Sequence, residues 1–170
     1  MKYCTDCGHE LVLKSCDLDG LIPYCEYCKK FCYPTFNSAI SAILLNSNLT
    51  KALVIQQYGM PYNVLVAGYI MKGENAKETL IREVKEETNL NIKKYIYNDN
   101  EYYSRTNTLM HNYIAVVDSE QFLLNHEVDT AMWLDVDDVS NKMKPGSLAK
   151  KFYDVFYEKY QKKVYKFLEG

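Results

Sequence analysis

From Asn37 onward, apolar and polar positions alternate between short apolar runs and clusters of turn residues. Asn37–Leu45, Ala52–Tyr58 and Tyr62–Ala67 are short, apolar and β-leaning. Asn46-Ser47-Asn48 and the stretch from Gly59 to Pro61 separate them, as strands and their turns would be. A helix is predicted from about Ala76 to Thr88, then strands at Ile92–Tyr97, Tyr113–Val117 and Ala131–Leu134. A last helix is expected from about Ser147 to Phe167. Leu148, Phe152, Phe156, Tyr160, Val164 and Phe167 recur there at intervals of three or four and make one stripe, for the core or for a subunit contact. There is no internal repeat and no low-complexity linker. Strands around a few helices give an α+β domain.

At 170 residues the chain holds one ordinary core and a small appendage. A hydrophobic fraction of 48% and a charged fraction of 25% describe a globular protein. The net charge of −2 is spread over interspersed signs, which leaves no stripe for a nucleic-acid duplex or an anionic membrane. Met1–Asp6 opens without an apolar leader, and Ala39–Leu45 is too short to span a bilayer, so a cytoplasmic protein with no membrane partner is expected. His9, His111 and His126 have no partner spacing for a metal site or a triad.

All six cysteines, Cys4, Cys7, Cys16, Cys25, Cys28 and Cys32, lie in the first 32 residues. Without a leader, metal binding is preferred to a disulfide framework. Cys4-x2-Cys7 and Cys25-x2-Cys28 make two knuckles, each aiming two thiolates at one point, and together they complete the tetrahedron that zinc favours. Gly8 suits the first turn because it takes positive φ freely. A segment this short buries too little to hold itself, so the ion would supply much of its folding energy. Cys16 and Cys32 are read mainly as packing residues, although Cys32 lies close enough to replace Cys28. A zinc ribbon over 1–34 and a second domain over 35–170 are expected, the zinc being structural.

The segment from Gly68 to Leu90 carries the chemistry. Asn75 is a good N-cap, answered by Glu78 three residues on, and Asn89 suits a left-handed helix end. Ala76, Leu80 and Val84 share the packing face, whereas Glu83, Glu86 and Glu87 gather on the other side. Three carboxylates so placed repel one another, and a hard divalent cation would offset that repulsion. A solvated charged face would explain Glu86 and Glu87, but not the glycine–glutamate loop fixed ahead of them. The chain has 18 lysines and only two arginines, Arg82 and Arg105. Arg82, four residues before Glu86, is therefore read as chosen for its planar, bidentate guanidinium.

Gly68, Glu74, Arg82, Glu83, Val84, Glu86, Glu87 and Leu90 stand in the register of Gly-x5-Glu-x7-Arg-Glu-U-x-Glu-Glu-x-Gly-U, where U is aliphatic. This segment resembles the Nudix box, with Asn89 replacing the final glycine. The resemblance extends to the branch of zinc-ribbon NADH pyrophosphatases through Tyr33-Pro34, Ala67-Gly68-Tyr69-Ile70, Glu127-Val128-x2-Ala131-x-Trp133 and Ser147-Leu148-Ala149. It departs at Tyr102–Thr108, where the branch's proline- and tryptophan-rich selectivity motif is missing.

That resemblance implies an α/β/α sandwich around a mixed sheet. It also implies a hydrolase that cleaves the pyrophosphate bond of a nucleoside diphosphate linked to another moiety, such as NADH, NAD or ADP-ribose. Glu83, Glu86 and Glu87 would hold Mg2+ or Mn2+, with Glu74 assisting and Glu127 as base or extra ligand. Gly68, Tyr102, Tyr103 and Arg105 are the expected substrate-binding residues. Hydrolysis of NAD-capped RNA and a homodimer follow from the same likeness. The competing reading is a non-catalytic nucleotide sensor, or an RNA or protein binder.

Overall fold

The computed structural model describes residues 1–165. It forms two compact units that divide after Phe36. In the first, β1 (Val12–Ser15), β2 (Leu21–Cys25) and β3 (Lys30–Phe31) make a three-stranded antiparallel sheet.

The second unit is built on six strands. These are β4 (Asn37–Leu45), β5 (Lys51–Gln57), β6 (Val66–Tyr69), β7 (Ile92–Tyr103), β8 (Thr108–Val117) and β9 (Val128–Asp135), with α1 (Ala76–Thr88), α2 (Val136–Lys142) and α3 (Leu148–Gln161). The sheet order is β7-β8-β4-β5-β9. β4 runs parallel to β8 along its whole length, and its other edge forks, Ala39–Ala42 pairing with β6 and Leu44–Leu45 with β5. All other pairings are antiparallel, so the sheet is mixed.

Alternation along β4 supplies both faces of the sheet. Ile43 and Leu45 enter one cluster with Val139, Phe152, Tyr153 and Phe156 of α2 and α3. Ile40, Ala42 and Leu44 enter the opposite cluster with Leu80 and Val84 of α1. Helices on both faces of one sheet give the expected α/β/α layering.

The last helix ends at Gln161, short of the expected Phe167, which lies outside the described residues. Of its stripe, Phe152 and Phe156 are fully buried within the chain and Leu148 and Tyr160 pack against the same cluster, whereas Val164 is exposed. β7 and β8 extend well beyond the expected Ile92–Tyr97 and Tyr113–Val117. Two register shifts, at Ile92/Lys94 and Tyr97/Asp99, break the alternation by which a strand is read, and Asn98 to Glu101 argues locally for a turn. Cross-strand pairing overrides that preference. Among the described residues no helix is long and apolar enough to cross a membrane.

Candidate active site and cysteine cluster

The stretch from Gly68 to Leu90 folds as a strand end, a loop and α1. Asn75 Oδ1 accepts from the amides of Lys77 and Glu78 at 3.0 and 3.1 Å, and Glu78 returns the bond to the Asn75 amide at 2.9 Å. At the other end Asn89 takes φ 58 and ψ 12 and closes the helix through its amide to Lys85 O. Leu80 and Val84 are buried against the sheet.

Arg82 is the organiser of the acidic residues. Its guanidinium grips Glu74 twice, Nε to Oε1 at 2.7 Å and Nη2 to Oε2 at 2.9 Å. Nη1 also donates to Glu83 Oε1 at 2.7 Å and to Glu86 Oε2 at 3.0 Å. Hydrogen bonds from Arg82 and from Thr79 hold the Glu74 carboxyl down at about 2. Glu74 is thus the anchor of the arginine, and the arginine orients Glu83 and Glu86.

The three box glutamates do not share one solvated face. Glu86 is exposed, Glu83 is half-buried, and Glu87 is only 2% exposed. Helix periodicity alone does not reveal this, because Gln57 at the end of β5 meets Glu87 from outside the helix. Gln57 Nε2 donates to Glu87 Oε1 at 3.0 Å, and Glu87 Oε2 is buried without a hydrogen-bond partner. Burial pushes the Glu87 carboxyl up to about 8, and burial also raises that of Glu83. A buried carboxylate oxygen with no donor is costly unless a cation or proton meets it. An all-oxygen donor set of this kind suits a hard cation.

Glu83, Glu87 and Glu127 line one cleft of about 520 Å3, with Gln57, Tyr58 and Tyr103. Gly68 lies in its floor, where an added Cβ would stand 1.9 Å from Glu83 Cδ and Oε1. The missing side chain of Gly68 is what allows Glu83 to lie against β6.

Of the expected substrate residues, Gly68 and Tyr103 line this cleft, together with Thr106. Tyr102 faces a separate cavity of about 670 Å3 beside α3, and Arg105 is exposed on the turn after β7. Sequence reasoning missed Gln57, Tyr58 and Thr79. No motif marks them: Gln57 and Tyr58 lie on β5 and the turn after it, outside the box, and Thr79 stands at one of the box's unspecified positions. Tyr58 has φ 55, an unusual conformation for an aromatic residue. Its phenol is pushed up by burial and then by Glu127, Glu87 and Glu83.

In the first unit the Sγ atoms of Cys4, Cys7, Cys25 and Cys28 all lie within 4.8 Å of one another. A tetrahedral zinc with bonds of about 2.3 Å would set such atoms about 3.8 Å apart, so the donor set fits. The buried Cys32 packs in the same cluster, its thiol directed to Lys30 O, and Cys16 sits apart with Tyr33. Among the described residues, no other group of three or more ligand-type side chains is so closely gathered.

A family profile described as NUDIX domain matches residues 35–156. The chain belongs to the Nudix family. Among curated relatives it is 29% identical over 157 residues to the NAD-capped RNA hydrolase NudC of Pectobacterium carotovorum, covering 90% of this chain and 58% of the relative. It is 24% identical over 154 residues to that of Escherichia coli O1:K1, covering 90% and 59%. The chain thus spans less than two thirds of the length of the curated relatives it matches. Among solved structures, a NUDIX hydrolase from Nitrosomonas europaea superposes with a TM-score of 0.67 at 19% identity, covering 95% of this chain and 93% of that one. The NUDIX domain of Shewanella oneidensis NrtR, in complex with ADP ribose, gives 0.62 at 17% identity, covering 82% and 97%. These structures establish the likeness of fold.

Proposed function

We propose that this Nudix chain is a divalent-cation-dependent hydrolase of the pyrophosphate bond in a nucleoside diphosphate linked to a second moiety, releasing a nucleoside monophosphate. The observation that carries the reading is the buried Glu87 carboxylate, with an unpartnered oxygen, in one cleft with Glu83 and Glu127. Glu83, Glu86 and Glu87 would hold Mg2+ or Mn2+. Such a cation, when bound, polarises a phosphoryl oxygen and lowers the pKa of an attacking water.

The chain's own residues do the remainder. Arg82, anchored by Glu74, orients Glu83 and Glu86. Glu127 projects into the same cleft and is the assigned base for the attacking water. Gly68 leaves room for the Glu83 carboxylate beside the bound substrate in the cleft. Tyr103 is the favoured stacking residue for a base, while Tyr102 and Arg105 on the same hairpin end reach the part of a longer substrate outside the cleft. Cys4, Cys7, Cys25 and Cys28 hold a structural Zn2+.

NADH, NAD, ADP-ribose and NAD-capped RNA are the proposed substrates, supported by the named activity of the curated relatives and by the ADP ribose in the NrtR structure. The proposed setting is a homodimer in the cytoplasm, and light scattering at micromolar concentration checks the assembly. Product analysis with Mg2+ or Mn2+ across the four substrates tests the reaction. Monophosphate release from at least one of them supports the reading. Tight nucleotide binding with no turnover on any would replace it with a sensor.

A further inference from the structure

The α1 helix accounts for Glu83 and Glu86, which Arg82 holds, but nothing on α1 holds Glu87. That task falls to β5, whose last residue, Gln57, donates its amide to Glu87 Oε1 at 3.0 Å and leaves Oε2 without a partner.

The backbone around Gln57 is tethered on each side. The β5–β9 ladder slips here, with Gln56 opposite Thr130 and Gln57 opposite Val128, so Asp129 is the extra residue. Such a bulge re-aims side chains next to a site. Asp129 Oδ2 accepts the Gly59 amide at 2.7 Å, which pins the turn following Gln57. On the other side Gln56 Nε2 donates to Asn63 Oδ1 at 3.0 Å, and Asn63 Nδ2 donates to Lys142 O at 3.0 Å.

The chemistry of the donor matters as much as its place. A lysine or arginine would neutralise Glu87 and compete with a cation for it. A neutral amide satisfies one carboxylate oxygen without adding a positive charge and leaves the other oxygen open to a cation.

We propose that Gln57 is the positioning residue of the cation site, locking Glu87 through Oε1 so that Oε2 is presented to the metal. The inference rests on the reading of Glu87 as a cation ligand. Gln57 acts through Glu87, and its loss is felt in metal affinity and kcat more than in substrate KM.

The test is a Mn2+ titration of the full chain by electron paramagnetic resonance, comparing wild type, Gln57→Met, Gln57→Asn and Glu87→Gln. Gln57→Met removes the donor at nearly constant length, whereas Gln57→Asn keeps the amide but falls one methylene short. Both are expected to weaken Mn2+ binding about 10- to 100-fold, the usual cost of losing a group that orients a metal ligand. Thermal melting without metal confirms that each variant is folded. If Glu87→Gln weakens Mn2+ binding and both Gln57 variants stay within twofold of wild type, the positioning role is overturned and the cation-site reading stands. If Glu87→Gln also leaves binding unchanged, Glu87 is no ligand and both ideas fall.

Discussion

Replacing Gly68 by alanine separates the stability of the fold from the geometry of its site. The new Cβ would lie 1.9 Å from Glu83 Cδ and Oε1, against 3.4 Å for ordinary contact, so one side must move by about 1.5 Å. Gly68 cannot easily retreat, since β6 pairs it with Ile40 on the buried strand β4. Glu83 therefore yields, losing its bond to Arg82 and its place in the cleft. The cost in folding is small: a flexible carboxylate swings aside, and alanine in a strand regains roughly 0.5–1 kcal/mol of chain entropy. The cost in catalysis is large. A displacement of about 1 Å in a site of this kind is worth on the order of 100-fold in rate, or about 2.7 kcal/mol. Steady-state release of nucleoside monophosphate with Mn2+ reads that loss, and thermal melting reads the stability. The Gly68→Ala protein is expected to melt within a few degrees of wild type while kcat/KM falls about 100-fold. An alanine variant with kcat/KM within threefold of wild type would refute the reasoning, since Glu83 would then not need its position.

Three further outcomes follow from the same geometry. Glu74→Gln is expected to destabilise the protein at neutral pH, because the folded Glu74 is held at about 2 against an ordinary 4.5. A carboxyl depressed on folding stabilises above its unfolded pKa and loses that contribution as pH falls through the folded one. The gap between wild-type and variant melting temperatures should therefore close between about pH 4.5 and 2; a gap constant down to pH 2 would contradict the ion pair. Cys25→Ser should reduce zinc content, read by metal analysis after gel filtration, and unfold the first unit, while Cys16→Ser should retain one equivalent. Asn89→Ala should lower stability by about 1 kcal/mol in urea titration, since alanine resists the left-handed conformation at φ 58; equal stability would show that the cap is relaxed at little cost.

The box could be read from sequence because its signals are local. Capping by Asn75 and Glu78, the left-handed stop at Asn89 and the burial of Leu80 and Val84 depend on residues within a few positions of each other. Paired thiols two residues apart are equally local, and the four sulfurs of Cys4, Cys7, Cys25 and Cys28 do converge. Glu127 was singled out by resemblance, and it lines the cleft with Glu83 and Glu87. Features that hid from the sequence depend on tertiary contact. Gln57 reaches the buried Glu87 from a strand thirty residues away, and Gly68 is required by a side chain fifteen residues on. The long β7–β8 hairpin was truncated because polar residues and two register shifts conceal a strand from a pattern of period two. Helix α2 escaped notice because a seven-residue helix offers too few turns for its period to show.

The central claim is that the carboxylates of this cleft, Glu87 among them, support metal-dependent hydrolysis. The most direct measurement is monophosphate release from ADP-ribose and NADH by wild type and Glu87→Gln, each with Mn2+ and with excess EDTA. Wild type is expected to release AMP only with the cation, and Glu87→Gln to fall at least about 100-fold below it while melting no lower without the cation, as a neutral amide replaces a carboxyl whose charged form burial already disfavours. Turnover by wild type that persists in EDTA, or by Glu87→Gln at the wild-type rate, would contradict the account.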